Sequence, residues 1–300
     1  MKQDYEKALE WEKYFSSEEN CVAALKELRW PNGFVCPNCG HDDGYELSRN
    51  DLTQCTSCRR QTSPTAGTIL EKTHMPLTIW FRMMYEVAQD KGGASSSKLA
   101  KRFGIPQKTA WHMLLKIRTA MGSRNKRIQL GGDIELDEAF FGREARKNQP
   151  APDTETQVLV MVETEGDRAG DVIMQVIPEA SRDEIRDVVS KHTPDDEQQR
   201  FSADGWPAHW VLKSMGHEVD IQPLPGKLGV EKLPWVHTFI SLVRRNLMGT
   251  YHGVSPKMLQ LYLDEIVFRM NRRFRESTIF ESLLRACIFA LPTTYAELKL

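Results

Sequence analysis

What this chain has little of bounds it first. Its 300 residues contain no apolar run near the ~20 residues a membrane-spanning helix needs. The start, Met1-Lys2-Gln3-Asp4-Tyr5-Glu6, lacks the basic-then-apolar layout of a signal peptide, so the expected location is the cytoplasm. Cysteine is scarce, at six residues, and four of them fall in two short clusters; without a secretion signal, disulfides are the weaker use for them. Net charge is close to nil at −1, which taken alone argues against a nucleic-acid binder. The average hides a local absence. No Asp or Glu occurs from Lys91 to Gly132, while Lys98, Lys101, Arg102, Lys108, Lys116, Arg118, Arg124, Lys126 and Arg127 accumulate. Solvated helix faces mix both signs, so this one-sided run points to a polyanion surface. A second basic stretch holds Arg244, Arg245, Lys257, Arg269, Arg272, Arg273 and Arg275.

The strongest local signal is a pair of knuckles, Cys36-Pro37-Asn38-Cys39 and Cys55-Thr56-Ser57-Cys58, fifteen residues apart. Each knuckle turns two thiolates toward one ion, and two knuckles complete a tetrahedron, the layout of a structural zinc ribbon with no ligand position left for water. Gly40 and Arg59 stand where each turn continues. Cys21 and Cys287 lie inside apolar helical patterns and read as small buried hydrophobes.

Around the knuckles the pattern is helical. Residues 3–28 give one or two amphipathic helices with a cap at Ser16-Ser17-Glu18-Glu19, and Leu77–Asp90 gives another, stopped by Gly92-Gly93. Ser95–Ile105 followed by Pro106–Arg118 has the form of a helix-turn-helix, with Gly104 in the turn and Ala110, Leu114 and Ile117 on the buried face. On that reading Gln107, Lys108, His112 and Lys116 face outward, toward base edges or phosphates; a plain helical pair is the competing reading.

The run Ile134-Glu135-Leu136-Asp137-Glu138-Ala139-Phe140-Phe141-Gly142 is a strand that carries acids in its middle. Adjacent strand residues face opposite ways, so one of Asp137 and Glu138 looks inward and the other outward. An ionised carboxylate within a sheet needs a cation or a donor, which makes Asp137 a candidate metal ligand; an edge strand with solvated acids is the alternative. Strands follow at Gln157–Val162 and Val172–Ile177, then a helix opened by the capping box Ser181-Arg182-Asp183-Glu184, a strand Arg200–Ala203 ending at Asp204, a helix through Trp210-Val211-Leu212, and a strand Glu218–Ile221. That is the order of a ribonuclease-H-like α/β domain, a mixed sheet with flanking helices, and it brings Asp137 and Asp204 together. A helix from Trp235 to Met248 sets His237, Ile240, Ser241 and Arg244 on one face, and Ser255–Arg273 reads as a long amphipathic helix. Taken alone, a histidine such as His237 is more commonly a satisfied or surface residue than a ligand.

Together, the four cysteines, Leu136-Asp137-Glu138 closing on Gly142, Ala203-Asp204-Gly205-Trp206, Trp235-Val236-His237 leading to Gly249-Thr250-Tyr251-His252-Gly253-Val254, and Tyr262-Leu263-Asp264-Glu265 with Phe268–Arg273 resemble the bacterial insertion-sequence transposases that join a zinc ribbon to a DDE-type catalytic domain. The resemblance spans about residues 20–290. It implies four segments: a helical arm (1–28), a zinc ribbon (29–64), a helix-turn-helix-like DNA-binding segment (65–129) and a ribonuclease-H-like catalytic domain (130–292). It also implies Asp137 and Asp204 as ligands of catalytic magnesium or manganese, two ions by the usual two-metal scheme, with His237 at the third position. Glu231, Asp264 and Glu265 are the alternative third acids. A histidine ligand favours manganese over magnesium. Arg244 stands where relatives usually carry Lys, and it binds phosphate without being able to lose its proton. With Arg245 it would touch double-stranded DNA, on which a homodimer or larger assembly forms. The expected function is metal-dependent DNA cleavage and strand transfer. The competing readings are a zinc-ribbon DNA-binding regulator with an inert sheet, and a nuclease that cuts without joining.

Overall fold

In the computed structural model of the chain, residues 2–47, 51–142, 155–222 and 233–298 are described. They fall into two compact units. One comprises Met1–Asp90, Ser96–Ala120 and Ser277–Lys299, and the other is essentially Lys91–Ser95 with Met121–Glu276.

The first unit opens with α1 (Lys2–Tyr14) and α2 (Glu18–Arg29), separated where the serine-glutamate cap was expected: the Ser17 hydroxyl accepts from the Asn20 amide. Three short antiparallel strands follow, β1 (Gly44–Glu46), β2 (Thr53–Cys55) and β3 (Gln61–Thr62). The helix α3 (Leu77–Gln89) has Pro76 at its N-cap and no capping side chain of its own; the Glu18 carboxylate instead accepts from the amides of Leu77 (2.7 Å) and Thr78 (3.1 Å). Its apolar side packs against α10 (Ile279–Phe289), and Trp11, Phe15, Phe81, Tyr85 and Phe280 form one aromatic cluster with centroids 4.1–6.0 Å apart.

The expected helical pair is present as α4 (Ser96–Phe103) and α5 (Gln107–Asn125), with Gly104 at φ +64 in the turn between them. Ala110, Leu114 and Ile117 are buried as expected, but so are Met113, Leu115, Arg118 and Ala120. Apolar residues therefore surround α5 past its first turn, and the exposed face expected there does not continue.

The second unit holds a five-stranded mixed sheet of order β6-β5-β4-β7-β8. The strands are β4 (Asp133–Phe141), β5 (Thr156–Glu165), β6 (Arg168–Ile177), β7 (Arg200–Asp204) and β8 (Glu218–Gln222). The first three are antiparallel, while β7 and β8 run parallel to β4. This is the ribonuclease-H-like arrangement. Gly166 at φ +60 makes the tight turn between β5 and β6. The interior strand β5 is buried from Val158 through Val162, because helices cover both faces. On one face lie α6 (Arg182–His192), capped by Ser181 onto the Glu184 amide, and the segment formed by a 3-10 turn (Pro207–Trp210) and α7 (Val211–Ser214). On the other lie α8 (Pro234–Gly249) and α9 (Leu259–Met270). Val236, Phe239, Ile240, Val243 and Leu247 are the buried stripe of α8, and each such side chain contributes roughly 1.5–3 kcal/mol. The long helix expected from Ser255 is shorter. Pro256 opens a separate 3-10 turn (Pro256–Met258) and α9 begins after it.

Candidate active site and metal centre

In the ribbon, the Cys36 amide bonds the His41 carbonyl (2.8 Å) and the Cys55 amide the Arg60 carbonyl (3.0 Å), which folds the backbone after each knuckle around its thiols. The turns need left-handed backbone, and Gly40 (φ +74) and Arg59 (φ +61) supply it. The ligand atoms of Cys36, Cys39, Cys55 and Cys58 all lie within 4.8 Å of one another, with Cys36 Sγ 3.6 Å from Cys58 Sγ and Cys39 Sγ 3.7 Å from Cys55 Sγ. Four thiols this close cannot all ionise without a counter-charge. The Arg60 amide pulls Cys58 down to about 6, whereas Cys39, against the pull of the His41 amide, is pushed up to about 11 by its cysteine neighbours and burial. A tetrahedral cation resolves that conflict, so the donor set fits structural zinc.

In the sheet, the parallel register of β4 and β7 pairs Glu135 with Ser202 and Leu136 with Ala203. One step further, Asp137 and Asp204 are neighbours on strands about 4.8 Å apart. The expectation that Asp137 and Glu138 split between core and solvent is corrected, because helices cover both faces of β4. Each acid meets a histidine. On the α8 face, His237 Nε2 lies 3.3 Å from Asp137 Oδ2, and the Glu138 amide donates to Asp137 Oδ1 (2.8 Å). On the opposite face, His209 Nε2 donates to Glu138 Oε1 (2.9 Å), and His209 Nδ1 donates to the Asp204 carbonyl (3.2 Å) with Asp204 Oδ1 2.9 Å away. The Trp206 amide also donates to Asp204 Oδ1 (2.9 Å). His209 is fully buried. With a carboxylate at each ring nitrogen, both nitrogens act as donors. Burial pushes its pKa down, but the bond and charge of Glu138 and the neighbouring Asp204 outweigh that and hold it above the ordinary histidine range. Asp137 is also pushed up, first by burial and then by the charges of Asp204 and Glu138, against the Glu138 amide and His237.

The placement of His237 has a traceable cause. Pro234 sits in the first turn of α8, where its missing N–H costs nothing, and Leu233 provides no side-chain cap. Glu135 Oε2 accepts from the amides of both Trp235 and Val236 at 2.9 Å, pinning the start of α8 to β4. Glu135 and Asp137 lie two apart on one strand face, so this anchor sets His237 over Asp137. Arg244, two turns on, donates to the Phe140 carbonyl (3.2 Å) at the end of the same strand and lies over the Phe141 ring. Arg245 is exposed beside it.

Other expected residues are employed elsewhere. Asp264 and Glu265 lie on α9, which packs on β6, two strands from β4. Glu265 is fully buried in an ion pair with Arg269 and accepts from the Tyr251 hydroxyl (2.8 Å). Asp264 Oδ1 accepts from Gln260 (3.0 Å). Glu231 lies outside the described residues. On α5, Gln107 and Lys108 are exposed as expected. His112 and Lys116 are half-buried, a correction: the Lys116 ammonium donates to the Ile69 carbonyl (2.9 Å), and burial lowers its pKa. Arg118, counted in the basic run, is 1% exposed, and Lys98 and Arg102 pair with Asp90 (2.7 Å) and Glu86 (2.6 Å). In the second basic stretch Arg269 and Arg273 are also structural, Arg273 bonding the Ala169 and Gly170 carbonyls. Among the described residues, the four cysteines form the one group of three or more His, Cys, Asp or Glu side chains gathered closely enough to hold an ion. His209, which ties two of the acids together, was not expected. Only the strand-end sequence Asp204-Gly205 followed by a short helical turn hinted that something five residues on would fold back.

A four-cysteine ribbon and a ribonuclease-H-like sheet with two acids in register define a class of protein, the zinc-ribbon transposases. Comparison with known families agrees: residues 129–271 match the ISXO2-like transposase domain, and residues 16–61 match the transposase zinc-ribbon domain. A protein of the transposable element ISH50 from Halobacterium salinarum is 26% identical over 147 residues, 46% of this chain and 48% of that protein. The chain thus spans about half the length of this curated relative. Among solved structures, the Mos1 mariner paired end complex with Mn is 13% identical, with TM-score 0.30, covering 69% of this chain and 77% of that one. The Mos1 strand transfer complex is 16% identical, with TM-score 0.26, covering 68% and 77%. No helix among the described residues is long and apolar enough to cross a membrane.

Proposed function

We propose that this transposase binds the double-stranded DNA of its element's ends and carries out divalent-metal-dependent strand cleavage and strand transfer at Asp137 and Asp204. The observation that supports this is the register of β4 and β7, which sets two acids side by side inside the matched transposase domain, where burial and then the Asp204 charge raise the cost of ionising Asp137. Such a pair fits magnesium or manganese, whose charge relieves the repulsion. Asp137 and Asp204 would be the ligands, with His237 at the rim favouring manganese. When bound, divalent ions supply activation of a water or 3′-hydroxyl and stabilisation of the leaving oxygen.

The rest falls to the chain itself. His209 is a positioning residue: by bonding Glu138 and Asp204 at once it fixes the Asp204 carboxylate from below the site. Arg244, held at the end of β4, and exposed Arg245 would take phosphates of the strand in line with the acids. Gln107 and Lys108 at the start of α5 would contact the element end, while zinc holds the ribbon in shape. Joining two ends calls for at least two copies, so a homodimer or larger assembly on DNA belongs to this reading.

The test is strand transfer of a pre-cleaved end in magnesium and in manganese. Asp137→Ala and Asp204→Ala are each expected to lose at least about 1,000-fold, on the order of the loss when a transition-state stabiliser is removed. Full activity of either variant would overturn the assignment. One observation favours the second reading, a DNA-binding regulator with an inert sheet: Asp204 is already held by His209, and no three acids or histidines are gathered beside it among the described residues. Binding of the element end with no metal-dependent nicking in the wild type would select that reading. Nicking without joined products would select a nuclease.

A further inference from the structure

The short segment after Asp204 has two sides. Ala208, His209, Val211 and Leu212 point inward and are buried. Trp206 and Trp210 point outward and are 53% and 46% exposed. Of the chain's seven tryptophans these two alone are exposed, and both lie within six residues of a proposed metal ligand. An exposed indole forgoes the burial that normally repays so large a side chain, which leaves it available for a partner with a flat face. Neither ring hangs loose. Trp206 Nε1 donates to the Ala180 carbonyl (3.3 Å), fixing the indole edge, and the Lys213 ammonium sits 4.5 Å from the Trp210 ring centroid.

From this we infer that Trp206, Trp210 and Lys213 form a stacking platform for unpaired nucleobases of the DNA strand next to the cleavage site. The inference rests on the transposase reading above and extends it to a binding site that the two acids do not define. Every base has a π-face, so indoles bind single strands regardless of sequence, and a lysine alongside meets the backbone phosphate. A fully paired duplex hides those faces in its stack, so the platform discriminates for strands that have been opened or left unpaired. The cation over the Trp210 ring favours a nucleic acid over a second copy of this chain as the occupant, since a self-complementary apolar contact would have to desolvate the ammonium. A platform anchored to the segment that begins at Asp204 would also keep the opened strand close to that carboxylate.

The experiment uses the full zinc-loaded chain in the Asp137→Ala background, without added magnesium or manganese, so that binding is read independently of cleavage. Fluorescence anisotropy of a labelled eight-nucleotide oligothymidylate is compared with that of a fully paired duplex of random sequence. Trp206→Ala and Trp210→Ala are each expected to weaken single-strand binding about 5- to 100-fold, the range for loss of one stacked base, with less than about 2-fold change on the duplex. Trp→Phe at either position is expected to fall between wild type and Ala, and zinc content and circular dichroism identify any variant that fails to fold. Unchanged oligothymidylate binding in both Phe and Ala variants, or equal losses on single strand and duplex, overturns the platform. So does a shift from dimer to monomer in sedimentation with single-strand binding intact, which assigns the indoles to a second copy. Because Asp137 is already removed, loss of catalysis elsewhere leaves each of these outcomes readable.

Discussion

The two regions proposed to bind metal are built on opposite plans. In the ribbon, four ligands come from two tight turns within 23 residues of sequence (Cys36 to Cys58), and their sulfur atoms lie within 4.8 Å of one another. In the sheet, Asp137, Asp204 and His237 come from β4, β7 and α8, and each acid lies beside a histidine. The ribbon has almost nothing but the ion to hold it: its sheet has strands of three, three and two residues. The second site rests on a sheet covered on both faces by helices. A site built on two short turns and a site built on a packed sheet should therefore fail in different ways.

The largest effect expected is on the ribbon. Structural zinc contributes on the order of 10 kcal/mol or more to such small folds, so a chelator, or Cys36→Ser, should unfold β1–β3 and open the region 36–62 to proteases. Circular dichroism from the five-stranded sheet should persist; its collapse along with the ribbon would erase the contrast.

Next in size is the removal of His209. His209→Asn leaves Glu138 without its partner in the interior, a loss of roughly 3–5 kcal/mol in urea unfolding. The pH dependence carries the sign. Because the folded pKa of His209 lies above its unfolded value, its contribution is fully present below about pH 6.5 and fades as pH rises through the folded pKa. Wild-type stability should therefore drop on going from pH 6 to pH 9 by more than that of His209→Asn, and parallel curves would show that the ring is not charged in the fold.

Smaller again is Glu135→Ala, which strips two helix amides of a charged acceptor and should cost about 2–3 kcal/mol. If the anchor is what seats His237, this variant should also lower manganese affinity, while Glu135→Gln retains most of both. The smallest change returns to the ribbon. Arg59→Gly relieves a left-handed backbone position and should stabilise the zinc-loaded protein by about 1 kcal/mol, read as slower zinc release to a chelator.

The contrast also explains what could be read in advance. The ribbon was legible because a knuckle is a local object, and four cysteines at the right spacing specify it. Asp137 and Asp204 were legible at one remove, since the strand order alone puts the middle of β4 beside the end of β7. His209 and Glu135 were not. Their roles depend on which way a four-residue turn faces and on where a helix a hundred residues away begins, and no periodicity encodes either. Lys116 misled because helical spacing says which residues share a face but not how many faces are covered; on α5 the apolar surroundings extend past the first turn, and they also enclose Arg118.

The alternating acids of β4 have one more effect. Glu135 and Asp137 are engaged on one face and Glu138 on the other, so a slip of the strand by a single position would present Glu138 to His237 and turn Asp137 toward His209, while the cap on α8 would be lost altogether. Mispaired versions of the sheet are thereby penalised at three positions, so the acids of β4, the proposed metal ligand Asp137 among them, also specify its alignment.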